Sequence, residues 1–158
     1  MIKIQNFDFL IGKWSVLNSR LTERLNNCDE WIEFPAEMET KSILNGMGVM
    51  DEMTSSYFGD TFVGLSIRML NPKTNEWSIY WADTAHPEYL LKEQVMGQFA
   101  DGFGVFHGKE MYDGKEVQLR FIWKKESANT AHWEQAYYDD INKEWETNWT
   151  MLFTAIEE

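Results

Sequence analysis

Two arginines and a glutamate set among aromatic residues carry the chemical capacity of this chain. Arg68 and Arg120 fall in mid-strand positions with apolar neighbours. A guanidinium is hard to bury without a partner. Pointing inward, it can hold a ligand carboxylate through paired N–H bonds or stack on Trp77 and Trp81. Pointing outward, or paired internally with Glu134, it is only structural. Gln118 and Lys124 share the face of Arg120, and Lys109 lies on the neighbouring strand, which argues that Arg120 faces out. Glu134-Gln135 interrupts an aromatic strand, so one of the two must face in. An inward Glu134 can accept from an arginine or act as a general acid or base. Asn148, placed opposite, would orient a ligand group; the alternative for this set is a satisfied internal hydrogen-bond network.

The other reactive types offer less. His86, His107 and His132 are the only histidines, and no pair has metal-ligand spacing. A single histidine can ligate a haem iron inside a barrel, although a lone histidine is more often structural or exposed. Cys28 sits in the acidic stretch Asn26-Asn27-Cys28-Asp29-Glu30, where carboxylates are expected to raise its pKa. Gly46-Met47-Gly48 lacks the length, helix and lysine of a phosphate loop.

The elements that would position these residues are strands and tight turns. The pattern Glu-Trp-x-x-x-Trp occurs twice, at Glu76–Trp81 and Glu144–Trp149, each time just after a polar turn. In a strand, residues four apart share a face, so each copy is expected to set two tryptophans side by side. Asp101-Gly102 and Asp113-Gly114 separate alternating apolar runs, a strong hairpin signal. The second turn sets His107 opposite Arg120 and Phe106 opposite Phe121. A last turn centred on Ile141 would set Trp133 opposite Trp149 and Glu134 opposite Asn148. A turn over Pro72–Asn75 puts Arg68 on one face with Trp77, Ile79 and Trp81. Asn6 to Ile11 reads as one helical turn capped by Asn6. Trp14 to Leu25 reads as a strand with a change of frame near Leu17, hence a bulge. Val49 to Phe58 reads as a further strand. The count comes to about ten strands with no crossover helices.

Bulk composition narrows the function classes. The chain has 158 residues, enough for one domain with a real core. Aromatic residues make up 15%, including 8 Trp and 10 Phe, which favours a wide apolar interior or a pocket. Nine methionines fit an adaptable interior. The formal net charge of -12 argues against nucleic acid and anionic membranes as partners. One cysteine allows no internal disulfide. The opening residues do not read as a signal peptide, and no apolar run approaches the ~18 residues that span a bilayer. The expectation is a cytoplasmic protein.

Residues Phe9-Leu10-Ile11-Gly12-Lys13-Trp14 resemble the Gly-x-Trp segment that leads into the first strand of lipocalins and other calycins. The resemblance implies a short helical turn before the motif and a tryptophan plugging one barrel end. Over nearly the whole chain it is similar to an uncharacterised bacterial family of lipocalin-like domains. The residues are Glu30-Trp31-Ile32-Glu33-Phe34, Ser66 to Pro72, Trp77 to Trp81, Arg120-Phe121-Ile122-Trp123, Trp133 to Ala136 and Trp145 to Trp149. Calycins commonly pack an arginine from the last strand on the first tryptophan. Here that strand ends Phe153-Thr154-Ala155-Ile156, without one.

These readings converge on an all-β fold, a single lipocalin-like domain over residues 1–158. It is a closed antiparallel barrel in the calycin style, with a cavity for one small apolar or aromatic ligand. The expected site is Trp77, Trp81, Trp133 and Trp149 as walls, with Arg68, Arg120, Glu134 and Asn148 as polar anchors. An enzyme using the same cavity, with Glu134 as acid or base, and a haem-binding barrel are the alternatives. No metal or other cofactor is expected, and the chain is expected to be a monomer or homodimer.

Overall fold

The computed structural model describes residues 3–88 and 91–157. Met1 and Ile2, the start of the opening stretch read above, lie outside the described residues. In chain order the strands are β1 Gly12–Leu21, β2 Trp31–Ile43, β3 Gly48–Thr54, β4 Val63–Asn71, β5 Glu76–Asp83, β6 Lys92–Ala100, β7 Phe103–Tyr112, β8 Lys115–Lys125, β9 Thr130–Asp139 and β10 Glu144–Ala155.

Local chemistry sets this order. Asp101, Gly102, Asp113 and Gly114 all take positive φ, from 51° to 86°. That is the backbone of a two-residue hairpin whose twist matches its strands. These turns join β6 to β7 and β7 to β8, with His107 opposite Arg120 and Phe106 opposite Phe121, as expected. Every other strand also pairs antiparallel with its neighbour in sequence, and β10 returns to β1. The result is a closed, ten-stranded, up-and-down barrel, all-β apart from short 3₁₀ turns.

One 3₁₀ turn, Phe7–Leu10, closes an end of the barrel. Asn6 caps it, its side-chain oxygen accepting from the Asp8 N–H at 2.9 Å. The Trp14 indole donates to the Leu10 carbonyl at 2.8 Å and fastens the turn to β1. Phe7 is fully buried, with Trp77, Phe99, Phe106 and Trp123 around its ring at 4.8–5.9 Å between centroids. No arginine lies over Trp14 among the described residues; it packs edge-on against Phe153.

Three expectations need correction. First, β1 has no bulge near Leu17: its pairing with β2 runs unbroken from Gly12 opposite Thr40 to Leu21 opposite Trp31. The inward residue after Val16 is Asn18, which accepts from the Trp149 indole at 2.9 Å. A satisfied inward asparagine mimics a change of frame. Second, β3 stops at Thr54, and Ser56–Phe58 is a 3₁₀ turn capped by the Ser55 hydroxyl. Third, the last hairpin has a different register. Asp139 Oδ1 accepts from the N–H groups of Ile141 and Asn142, giving a four-residue turn that pairs Asp139 with Glu144. A bulge at Asn148 adds a second offset, so Trp133 faces Met151, Glu134 faces Thr150 and Trp149 faces Gln135. The two offsets cancel for inward and outward beyond the bulge. Before it they do not: Trp145 lies outside against Tyr138, while Trp149 lies inside. The first copy of the repeated motif keeps Trp77 and Trp81 on one face; the second splits its pair.

Gly97 and Gly108 let β6 and β7 close tightly on each other. A Cβ on Gly97 would meet the Val105 carbonyl oxygen at 2.0 Å and the Phe106 Cα at 2.7 Å. Because these obstacles are backbone, Gly97→Ala is expected to destabilise the barrel by about 1–3 kcal/mol, read from the midpoint of urea unfolding.

His132, half-buried on the outer wall, is held below the ordinary histidine value of 6.5 by burial and then by Lys124 opposite, against the weaker pull of Glu134 and Glu126. A depressed histidine contributes stability above its unfolded pKa and loses it as pH falls through its folded value. Stability is therefore expected to fall below about pH 6.5, and His132→Gln should show a shallower loss between neutral and mildly acid pH in thermal melts.

Candidate functional site

Above the Phe7 plug the barrel opens into a cavity of about 520 Å³. A ten-stranded barrel is wide enough to leave such a space once one end is filled. Met53, Phe121, Trp133, Met151 and Phe153 form much of its apolar wall. At the open end, Phe58 of the Ser56–Phe58 turn packs on Phe62 and Trp149, with centroids 4.8 and 6.1 Å away. Tyr57 stacks flat on Phe34 at 3.9 Å. This turn and the segment after β1 form the rim.

Arg68 forms the floor. It is 4% exposed, with its guanidinium 5.0 Å above the Phe7 ring and 5.3 Å from that of Trp123. Its charge is matched by Asp51 of β3, 2% exposed, through a very short ion pair. Burial pushes the Asp51 carboxyl up, against the pull of Arg68. Arg68 thus points inward, but its carboxylate partner is Asp51 rather than Glu134.

The other expected site residues divide by face. Trp81, Trp133 and Trp149 line the cavity. The Trp81 indole donates to Asp83 at 2.7 Å. Burial alone would raise the Asp83 carboxyl; bonds from Trp81 and from His86, whose Nδ1 is 3.1 Å away, hold it below its ordinary value. Trp77 points inward but belongs to the packed end around Phe7. Asn148 is fully buried at the bulge and accepts from the Gln135 amide at 2.9 Å, so Gln135 is the inward member of Glu134-Gln135.

Arg120 and Glu134 are corrections. Both lie on the outer wall, away from the cavity. Arg120 sits 4.6 Å over the Trp145 ring, beside His107, and Glu134 accepts from the Thr147 hydroxyl at 3.1 Å. Arg120 shares its outer face with Gln118 and Lys124, the pattern that had argued against it. Of the histidines, His86 is at the mouth, whereas His107 and His132 are on the outer wall. The Cys28 thiol is lowered, not raised: the Thr22 hydroxyl and the Glu30 N–H, each 3.4 Å from its sulfur, outweigh desolvation and the charge of Glu23.

Several cavity residues escaped sequence reasoning. Asp51 alternates in phase with Val49 and Met53, so the period was there to read. Arg20 is in phase with Trp14, Val16 and Asn18, and only the supposed frame change hid it. Glu110 and Tyr137 meet in a very short hydrogen bond in the cavity, the phenol donating. Burial, and then Glu110 beside it, push the Tyr137 phenol well above its ordinary value.

Removing one member of the floor pair strands a charge. Asp51→Ala is expected to cost about 3–5 kcal/mol, whereas Asp51→Leu with Arg68→Met should come close to wild type or exceed it. Urea unfolding of the single and double variants checks the difference.

No family model and no curated protein matches the chain. Solved structures do. A protein of unknown function from the DUF3598 family, from Nostoc punctiforme, superposes with a TM-score of 0.59 at 11% identity, over 98% of this chain and 51% of that one. This chain therefore spans about half that protein's length. The S-type phycobiliprotein lyase CPES from Guillardia theta superposes with a TM-score of 0.60 at 11% identity, over 96% of this chain and 91% of that one. At such identity the likeness carries the fold alone, a closed antiparallel β-barrel.

Proposed function

We propose that the chain binds one small, largely apolar or aromatic molecule inside the barrel. The observation that carries this reading is the 520 Å³ cavity walled by aromatic and methionine side chains, within the size range of small-molecule sites. The walls recruit residues from both halves of the barrel, including Met53, Trp81, Trp133 and Trp149. Tryptophan faces suit flat, conjugated ligands, and methionines adapt to irregular ones. The barrel of the phycobiliprotein lyase has the same overall fold, which adds bilin-type pigments to the candidates.

Binding stands ahead of catalysis for a positional reason. Glu134, the residue that would have served as acid or base, is on the outer wall, hydrogen-bonded to Thr147. The acids that line the cavity are already engaged, Glu110 by Tyr137, Asp83 by Trp81 and Asp51 by Arg68.

Native mass spectrometry of protein gently purified from its source, followed by an absorption spectrum, tests the reading. A retained small-molecule mass is expected; a bare chain that also fails to bind any of a panel of flat aromatic probes would refute it. Trp149→Leu removes one aromatic wall and should weaken binding of an aromatic probe about three- to tenfold, measured by fluorescence titration.

A further inference from the structure

Two arginines at the open end have no place in the reading so far. Arg20 ends β1 and Arg24 lies in the segment after it, and both line the cavity. The Arg20 guanidinium is 4.4 Å over the Trp149 ring, and that of Arg24 is 4.9 Å over the Tyr112 ring. The chain after β1 is tied down: the Leu25 N–H donates to Glu146 at 2.7 Å, and the Arg24 N–H to the Tyr112 hydroxyl at 3.3 Å. The cations are held at the mouth rather than left to wander in solvent.

Their donors are not used up. Among the described residues neither guanidinium forms an ion pair, and their one hydrogen bond runs from Arg24 to the Leu21 carbonyl at 3.2 Å. The Nε atoms of both are buried without an acceptor. Glu110 and Asp83 also line the cavity, but the Tyr137 phenol occupies the first and Trp81 and His86 hold the second, so neither carboxylate is bonded to these guanidinium groups. This occurs in a chain with 26 acidic residues against 14 lysines and arginines. Arg68, deeper in the same cavity, was given its own aspartate. The contrast is between a cation paired by the fold and two whose donors are left without a carboxylate partner.

We infer that Arg20 and Arg24 form an anion subsite at the cavity mouth, which takes the carboxylate of an otherwise apolar ligand. The inference rests on the reading of the barrel as a small-molecule binder. A guanidinium presents parallel N–H donors that match a carboxylate, and both groups already have aromatic faces to fix their planes. Burial, and then Arg24 nearby, make it harder for Arg20 to hold its charge; a bound anion relieves both. The apolar body of the ligand runs inward along Met53, Phe121 and Trp133, leaving the charged end at the rim.

Dansylaminoundecanoic acid and its methyl ester test this, since they differ in the charged end alone. Binding is read from dansyl fluorescence. The acid should bind about tenfold or more tightly than the ester, and added salt should narrow the gap. Arg20→Met keeps the apolar stem; it should bring the two affinities together by weakening the acid and sparing the ester. Arg24→Met, in the loop, should do the same to a lesser degree and stands in if Arg20→Met fails to fold by circular dichroism. Equal binding of acid and ester to the wild type, or equal loss of both in the variants, overturns the anion subsite and leaves the apolar cavity intact. Failure of both probes to bind the wild type overturns the subsite and the binding reading together.

Discussion

The position of Phe7 decides where this barrel is solid and where it is hollow. Ten strands enclose more space than their own inward side chains fill evenly. The 3₁₀ turn Phe7–Leu10 folds under one end and drives a phenyl ring between Trp77, Phe99, Phe106 and Trp123. That end becomes a packed core. The other end, with no such plug, keeps its space. The ring also offers a face on which the Arg68 guanidinium rests. A buried cation there demands a carboxylate, and Asp51 meets the demand across the β3–β4 ladder, where Asp51 is opposite Ser66 and Val49 opposite Arg68. A slip of one residue in that ladder would turn Asp51 outward and leave Arg68 alone. The plug, the ion pair and the register of two strands therefore stand or fall together.

The parts of the fold that were legible in the sequence are those fixed by local chemistry. Asp-Gly turns dictate positive φ at two adjacent residues, and no distant contact is needed to read them. The β6–β8 meander and its cross-strand pairs followed directly. The expectations that failed share a cause. Alternation of apolar and polar residues marks faces only while inward residues are apolar. Asn18 points inward and is satisfied by Trp149, so β1 looked broken where it is continuous. Asn148 bulges out of the ladder and bonds to Gln135, a partner thirteen residues away that no local pattern reveals. Asn18 and Asn148 are each made tolerable by a long-range bond, and such bonds are invisible to a reading of period.

Tryptophan content was a fair guide to class and a poor one to position. The repeated motif was expected to set each pair of tryptophans on one face, Trp77 with Trp81 and Trp145 with Trp149. The bulge sends Trp145 outside instead, where Arg120, His107 and Tyr138 gather around it. A large aromatic at a half-exposed position is stabilised there by a cation over its face, so the same residue pair can build an outer wall as readily as a binding site. Arg120 and Trp145 outside, and Arg20 and Trp149 inside, are chemically alike. Only the bulge at Asn148 separates them.

The interior polarity is layered, and the layering has a consequence for any occupant. At the floor, Arg68 and Asp51 cancel each other. In the middle, the walls are aromatic rings and methionine. At the rim lie two guanidinium groups without an ion pair, and the carboxylates near them are engaged by others, Glu110 by a phenol and Asp83 by Trp81 and His86. A low-dielectric wall weakens screening by water, so the rim potential reaches further into the cavity than it would in solvent. The acidic surface of the chain, at a formal net charge of -12, repels anions from afar. The mouth attracts them only at close range, once the apolar walls have begun to engage. An ionic-strength effect on association is thus set by two opposed fields. The outer one is screened over about a Debye length, and the inner one is sheltered by the barrel itself.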